Sequence, residues 1–492
     1  MGALAAAAAG GDPVRLVRRR GLPQELPSLM SAVIQPALPA VEDLPLVAGD
    51  PARVVVFDGS TRVTLGQFLA QARALAERLP EARCVAHLSE DRYRFLLGFC
   101  AAALRGQVAL LPPSGAPQTL ADVIQAHADG GAYRLGGECG MDVPGPETAA
   151  DLAPANGPTP LVRRGDLAAI GYTSGSTGRP QAHSKTWGAF ATGTGQNLAA
   201  LADLWGDQQP QVVATVPSQH MYGMEMSVLL PLLGGAAVHA GRPLLPADVA
   251  GALEQATGPR ILVTTPVHLR ALLRSGVSLP ALAGIVSATA PLPQELAAEA
   301  EDRYGGEVRE VFGSTETCVF ARRRTARDPL WTPLPGVRVS PQPDGTLVHA
   351  PHLPVPVALA DIFEVEPDGR FRLCGRQADL LEIAGKRASL GDLTRRLLAV
   401  PGVEDGVVVQ LEPGREGGVG RIAALAVAPG LAPADIVAAL RANVDPVFLP
   451  RRVRLLPQLP RNATGKLCRD ALLEALAGPG TCTVGSGSGN AA

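Results

Sequence analysis

The densest run of chemistry-bearing residues is GYTSGSTGRPQ, from Gly171 to Gln181. Glycines at 171, 175 and 178 are interleaved with the hydroxyls of Thr173, Ser174, Ser176 and Thr177. Glycines let backbone N–H groups approach a polyanion, and hydroxyls add donors, so the run has the make-up of a phosphate cradle. It is not a Walker A loop, because no Gly-Lys-Ser/Thr follows. Taken alone it also fits a plain surface turn. Further candidates lie downstream: His220 in VPSQHMYG, Glu316 in VFGSTE, Asp361 in LADIFE and Lys466 in PRNATGK. A carboxylate offers the oxygen ligands that magnesium takes. A lysine behind a glycine turn is a mobile point charge able to follow developing negative charge.

In this order the strings resemble the adenylate-forming superfamily: acyl-CoA synthetases, luciferases and peptide-synthetase adenylation domains. The family loop reads roughly Ser/Thr-Ser-Gly-Ser/Thr-Thr-Gly-x-Pro-Lys-Gly. The match runs from Thr173 to Pro180, with Gln181 and Ala182 where Lys-Gly is usual. That departure removes a cation, for which His183 and Lys185 are the neighbouring replacements. VPSQHMYG is similar to the family's Pro-x-x-His-x-x-Gly, whose His gates the carboxylate pocket, a role that falls to His220. SATAPLP, Ser287 to Pro293, resembles Ser-Gly-Ala-Ala-Pro-Leu, with Ala288 and Thr289 as the departures. VFGSTE resembles Tyr-Gly-x-Thr-Glu. The resemblance implies that Phe312 stacks on adenine beside Gly313 and Ser314, that Thr315 bonds the α-phosphate and that Glu316 holds magnesium. Asp361 would bind the ribose hydroxyls through two acceptor oxygens, although Leu359-Ala360 replaces the usual Thr-Gly before it. GRQADLLEIAGKR resembles the family hinge. There Arg376 would contact ribose, Asp379 would be the pivot, and Glu382 stands where the family often has Lys. Lys466 would bridge the carboxylate and the α-phosphate.

The resemblance implies ATP and Mg2+ as cofactors and a two-step reaction. A small carboxylic acid attacks ATP to give an acyl-adenylate, the last domain rotates about Asp379, and a thiol then takes the acyl group. Three strings, PQAHSKTW, QHMYGME and VFLPRRVRLLPQLPRNATGK, resemble a narrower branch. These are the ligases of aryl polyene and xanthomonadin-type pigment pathways, which load an aromatic starter such as 4-hydroxybenzoate on an acyl carrier protein. His220, Met224, Ser287 and Cys318 are the pocket candidates. Between Pro446 and Arg469 stand Arg451, Arg452, Arg454, Arg461, Lys466 and Arg469 with no acid among them. Such a stretch suits the phosphates of CoA, the acidic face of a carrier protein, or simply a solvated rim. The rival readings are a CoA ligase for a fatty or aryl acid and, in another class, a binding protein on an inactive adenylating fold.

The elements that must position these residues follow from periodicity. Val54 to Phe57 reads as a strand. Thr64 caps a helix whose apolar face is Leu65, Phe68, Leu69, Ala72, Leu75, Ala76 and Leu79. A second helix covers Tyr93 to Leu104. Short β-branched runs then alternate with helical stretches to about 310, among them VVATVP, AAVHA, ILVTTP and GIVSATAP. This alternation predicts an α/β fold of mostly parallel sheets covered by helices. Residues 325–375, rich in proline and short strands, read as a small antiparallel β subdomain of a large domain over 46–378. Residues 379–480 read as a mobile α+β domain: a helix from Leu390, the strands VEDGVVVQL and RIAALAVAP, and a helix opened by Pro433. Residues 1–45 read as a poorly ordered segment and 481–492 as a flexible tail.

Composition limits the rest. The chain has 492 residues, 46% apolar, which excludes a disordered protein. A net charge of -2 and 4% aromatics give neither a field nor stacking platforms for nucleic acid. Seven cysteines, an odd count with no CxxC pair, disfavour zinc ribbons and disulfide scaffolds and suit a reduced cytoplasmic compartment. The basic residues at the N-terminus follow its apolar run, the wrong order for a signal peptide. The longest apolar candidate span, Met226 to Gly241, contains Pro231, Gly234 and Gly235, so no integral membrane segment is expected.

Overall fold

The structure is a computed structural model. It describes residues 43–113, 116–137, 140–150, 158–174, 180–343, 345–376, 380–383, 386–411, 422–441, 444–461, 465, 467 and 469–477. The described chain opens inside the segment expected to be poorly ordered, with strand Asp43–Pro45 paired antiparallel to Leu161–Arg163.

Two sheets carry the large part of the molecule. In the first, Ala132–Leu135, Cys84–His87, Val108–Leu111 and Leu167–Ser174 lie side by side and parallel, and Pro180–Thr186 folds back antiparallel on Leu167–Ser174. The second has nine strands. Its centre is parallel: Val54–Asp58, Ala237–His239, Gln211–Ala214, Arg260–Thr264, Gly284–Ser287 and Glu307–Ser314. Antiparallel strands close both edges. Central strands such as ILVT and GIVS are apolar on both faces and fully buried, as a helix-covered parallel sheet requires. Each such Val, Leu or Ile contributes about 1.5–3 kcal/mol by leaving water.

The helices form where the periodicity puts them. Leu65–Ala76 begins at a capping box: the Gln67 N–H donates to Thr64 Oγ1 at 3.3 Å, and the Thr64 N–H donates to Gln67 Oε1 at 3.0 Å. Its buried face includes Leu65, Phe68, Leu69, Ala72, Leu75 and Ala76. Arg92–Leu104 is capped by Asp91. The apolar span from Met226 is no single helix. A π-turn, Glu225–Leu229, runs into the short helix Leu230–Leu233, and strand Ala237–His239 follows. Among the described residues, no helix is long and apolar enough to cross a membrane.

Beyond 325 the strands are short and antiparallel. Arg338–Gln342, Gly345–His349 and Val357–Leu359 form one sheet, and Asp361–Val365 pairs with Phe371–Arg376. They enclose an aromatic cluster of Phe320, Trp331, Phe363 and Phe371. The C-terminal residues form a separate core, in which Asp405–Gln410, Ile422–Val427 and Arg452–Leu455 pack against the helices Leu390–Leu398 and Pro433–Leu440. The mixed α/β expectation matches this architecture.

Candidate active site

Three of the motifs sit where strands of one sheet end. Gln211–Ala214, Arg260–Thr264, Gly284–Ser287 and Glu307–Ser314 are adjacent and parallel, so their carboxyl ends share one edge. From that edge emerge the loop leading to His220, Thr265, the Ala288–Thr289 turn and the Thr315–Glu316 turn. Loops at the carboxyl ends of parallel strands are where open α/β sheets bind ligands. The hydroxyl of Tyr222 ties the edge together by donating to Val286 O at 2.8 Å and lying 3.2 Å from Thr264 O.

The second sheet meets this edge at Gly171. A Cβ there would lie 2.8 Å from Thr315 Cγ2 and 3.1 Å from Met221 Cε. A side chain there would force Thr315 or Met221 to shift, so glycine permits this approach. Three strings far apart in sequence therefore converge at one point.

The glycine and hydroxyl run is the tip of a hairpin: Gly171 pairs with His183, Thr173 with Gln181 and Ser174 with Pro180. Gly175, Ser176, Thr177 and Gly178 lie outside the described residues, and for Ser174 only the backbone is described. Thr173 is half-buried, with its Oγ1 3.1 Å from His183 Nε2. His220 is the N-cap of the short helix Met221–Met224 and is half-buried. Met224, Ser287 and Cys318 are fully buried. The Ser287 and Thr289 hydroxyls are buried without a hydrogen-bond partner among the described residues. Phe312 is half-buried, its ring 5.1 Å from Trp331 and 5.2 Å from Phe320. Gly313 sits at a bulge; a Cβ there would be 2.3 Å from Cys318 O. Asp361 is buried and directly opposite Arg376 in the strand pair, so the two expected ribose contacts are cross-strand neighbours. The Arg376 side chain, Asp379 and Lys466 lie outside the described residues. Gly465, next to Lys466, is described; a Cβ on it would be 3.9 Å from Thr265 Oγ1, at the same strand edge.

Behind Glu316 the turn is held by residues that sequence reasoning did not assign to it. Lys185 Nζ donates to Glu316 O at 2.7 Å, and His352 Nε2 lies 2.6 Å from Thr317 O. The Val319 N–H donates to both carboxylate oxygens of Glu225, at 3.1 and 3.0 Å. Asn197 Nδ2 donates to Glu225 as well. Two non-glycine residues among those described have a left-handed backbone: Thr289, in the SATAPLP motif, at φ 81°, and Cys318, two residues beyond Glu316, at φ 56°. Such outliers persist where the surroundings fix them, and they cluster at functional sites. Residue type alone carries no signal for them.

The electrostatics follow the burial. Desolvation pushes Glu225 up to about 7, against the Val319 N–H, the Asn197 amide and the charge of Lys185. Burial, with Glu225 beside it, pushes the Cys318 thiol up to about 12, so Cys318 is a packing residue and not a thiolate. Burial would raise Glu316 too. The Ser314 hydroxyl, its own backbone and the charges at His183 and Lys185 outweigh that and hold its carboxyl below the usual range. An ionised, partly exposed carboxylate is a fit partner for magnesium. Among the described residues no group of three or more His, Cys, Asp or Glu gathers elsewhere as a metal cage. One carboxylate plus substrate phosphates is a common way for proteins to hold this ion.

The fold and this strand edge define a nucleotide-using α/β enzyme. Residues 117–343 match the family described as AMP-binding enzyme. The 4-coumarate–CoA ligase of Rhodobacter capsulatus is 32% identical over 317 residues, covering 62% of this chain and 76% of that protein. The 4-coumarate–CoA ligase of Halorhodospira halophila is 30% identical over 312 residues, covering 60% of this chain and 73% of that one. In fold the chain is similar to o-succinylbenzoate CoA synthetase from Bacillus subtilis in complex with its acyl-adenylate, with a TM-score of 0.74 at 17% identity, covering 88% of this chain and 99% of that one. The chain belongs to the AMP-binding enzyme family. It is an AMP-forming acid–thiol ligase, with ATP and Mg2+ as cofactors.

Proposed function

We propose that this enzyme activates an aromatic carboxylic acid, 4-hydroxybenzoate or a close analogue, as its acyl-adenylate. It then passes the acyl group to the phosphopantetheine thiol of an acyl carrier protein, as the starter step of a pigment or polyketide pathway. The observation that carries the adenylating reading is the convergence of Gly171, Thr315 and Met221 beside the Glu316 carboxylate.

In the first half-reaction the acid's carboxylate attacks the α-phosphorus and pyrophosphate leaves. Such chemistry needs positioning and charge neutralisation more than acid or base work. Bound magnesium supplies neutralisation of the phosphate charge. The Thr173 and Thr315 hydroxyls orient the phosphates, Asp361 and Arg376 hold the ribose, and Phe312 lies against adenine. Lys466 follows the charge that develops between carboxylate and α-phosphate. His220, Met224 and Ser287 border the acid. In the second half-reaction residues 379–480 rotate about Asp379, which withdraws Lys466, and the thiol displaces AMP.

The choice of a carrier protein has support in the basic stretch. Arg461 is taken up by Asp405, at 2.8 and 2.9 Å, and Arg469 donates to Gln410 O at 3.3 Å. Arg451 and Arg452 are exposed and line a cleft with Arg441, Pro433 and Val437, with no carboxylate among its described lining residues. An acidic surface complements such a cleft. CoA as acceptor is the second reading, favoured by the similarity to the 4-coumarate–CoA ligases.

The test is pyrophosphate release with ATP, magnesium and a panel of hydroxybenzoates, cinnamates and fatty acids, each with CoA, with a phosphopantetheinyl carrier, or with no thiol. Release with 4-hydroxybenzoate, accelerated by carrier and not by CoA, is the expected outcome. Acceleration by CoA alone moves the enzyme to the second reading. Release with fatty acids only removes the aromatic substrate.

A further inference from the structure

The loop that usually carries a lysine has Gln181 instead, while strand Pro180–Thr186 carries two other basic residues, His183 and Lys185, beside the site. His183 and Lys185 are two residues apart and so share a face of the strand. Their surroundings differ. His183 Nε2 lies between Thr173 Oγ1 at 3.1 Å and Glu316 Oε1 at 3.5 Å, on the phosphate side. Lys185 is only 5% exposed, and its Nζ donates to the main-chain carbonyl of Glu316 at 2.7 Å. Buried and directed at a carbonyl, it is in no position to take over the pyrophosphate contact of the missing loop lysine. A buried ammonium is costly unless its surroundings compensate it. Here the compensation comes from the Glu316 peptide and from the nearby carboxylates of Glu225 and Glu316.

Lys185 is one of three clamps on the turn from Ser314 to Val319. It holds the carbonyl of Glu316, His352 holds that of Thr317, and Glu225 takes the N–H of Val319. Within the turn the Ser314 N–H donates to Thr317 Oγ1 at 3.1 Å, and the Thr317 N–H to Ser314 Oγ at 3.2 Å. Of the three clamps only Lys185 bonds the peptide unit of Glu316 itself. It therefore helps to fix the direction in which that carboxylate leaves the chain.

We propose that Lys185 is a positioning residue for Glu316, presenting the carboxylate to the Mg2+ that accompanies ATP. The inference rests on the reading of Glu316 as the metal-binding carboxylate. The test compares native enzyme, Lys185→Met and Glu316→Gln in two measurements. One is the Mg2+ concentration for half-maximal pyrophosphate release. The other is calorimetric binding of ATP with Mg2+ and with EDTA. A lost hydrogen bond to a charged group is worth on the order of a tenfold change. Lys185→Met is accordingly expected to raise the Mg2+ requirement about tenfold, and to weaken ATP binding in Mg2+ while leaving binding in EDTA unchanged. If Glu316→Gln shifts the Mg2+ requirement and Lys185→Met does not, the positioning role is overturned and the Glu316 reading stands. If Glu316→Gln shifts nothing, that reading falls and the inference with it. Equal weakening of ATP binding in Mg2+ and in EDTA also overturns the proposal, because it marks a general structural role. Should Lys185→Met fail to fold in a urea titration, Lys185→Gln, which keeps a donor without the charge, is judged by the same criteria.

Discussion

The turn at 314–319 and the contact around Asp405 use similar charged side chains in opposite ways. In the turn, Lys185, His352 and Glu225 are buried and bond backbone groups, which cannot move without moving a strand. Around Asp405, charged side chains meet each other. Asp405 pairs with Arg461 and lies 3.9 Å from Arg270, while Arg274 pairs with Glu404. Arg270 and Arg274 belong to the helix Pro266–Ser275; Glu404, Asp405 and Arg461 belong to the C-terminal residues. The Arg274–Glu404 pair is 52% and 37% exposed. Pairs this wet are each worth about 0–1 kcal/mol and can part and re-form. Directional bonds to a buried backbone suit a carboxylate that must keep one geometry. An exposed ion pair such as Arg274–Glu404 suits a contact that must open if the last domain rotates, whereas the less exposed Asp405–Arg461 pair stays within the C-terminal residues. Gly465 sits at that contact, with its carbonyl accepting from Arg461 at 2.9 Å.

The largest expected effect tests the C-terminal side. Lys466→Ala should slow pyrophosphate release by about 10²–10³-fold, the usual cost of losing a group that stabilises developing charge. Thiol transfer from preformed adenylate should survive. Adenylation at the native rate would break the contrast, since the segment next to Gly465 would then do no chemistry.

The next effect tests the fixed side through pH. Burial raises the Glu225 carboxyl from its ordinary value near 4.5 to about 7. The folded state therefore holds this proton more tightly than the unfolded one. Its contribution to stability is greatest below about pH 4.5 and is lost as pH rises to about 7. One pKa unit corresponds to 1.36 kcal/mol, so the loss is about 3 kcal/mol. Urea unfolding of the native protein and of Glu225→Gln at pH 5 and pH 8 should differ by a slope present only in the native protein. Parallel pH dependence in both would mean that the buried carboxylate is compensated more fully than its surroundings indicate.

The smallest effect sharpens the comparison. Glu404→Ala should lower stability by only about 1 kcal/mol, because the pair it removes with Arg274 is exposed. It should also slow adenylation a few-fold while sparing thiol transfer, if the proposed rotation of residues 379–480 separates the two steps. Half-reaction rates measured separately, at low and high salt, check this. Equal slowing of both steps would make the Arg274–Glu404 pair plain scaffolding.

Much of the candidate site was legible because its residues stand in short strings whose types and order can be read directly. Thr173, His220, Ser287, Thr315, Glu316 and Asp361 are recognisable by type and spacing. So is the Thr64–Gln67 cap, which is a local interaction over three residues. The β-branched runs announced the parallel strands, since a strand covered on both faces must be apolar on both. What periodicity does not encode is the order of strands in a sheet. The sequence could not say that Gln211–Ala214, Arg260–Thr264, Gly284–Ser287 and Glu307–Ser314 would be neighbours. That adjacency brings motifs up to about a hundred residues apart onto one edge.

The sequence by itself determined the family motifs, the helix caps and the departures, above all Gln181 for the usual lysine. The tertiary structure alone decided what the nearby cations do. In the sequence His183 and Lys185 are equal candidates for the missing charge. In the fold one faces Thr173 and the Glu316 carboxylate, and the other is buried on the Glu316 carbonyl. The physical reason is that the direction of a long side chain and the cost of burying its charge are set by neighbours from distant strands, which no local pattern records.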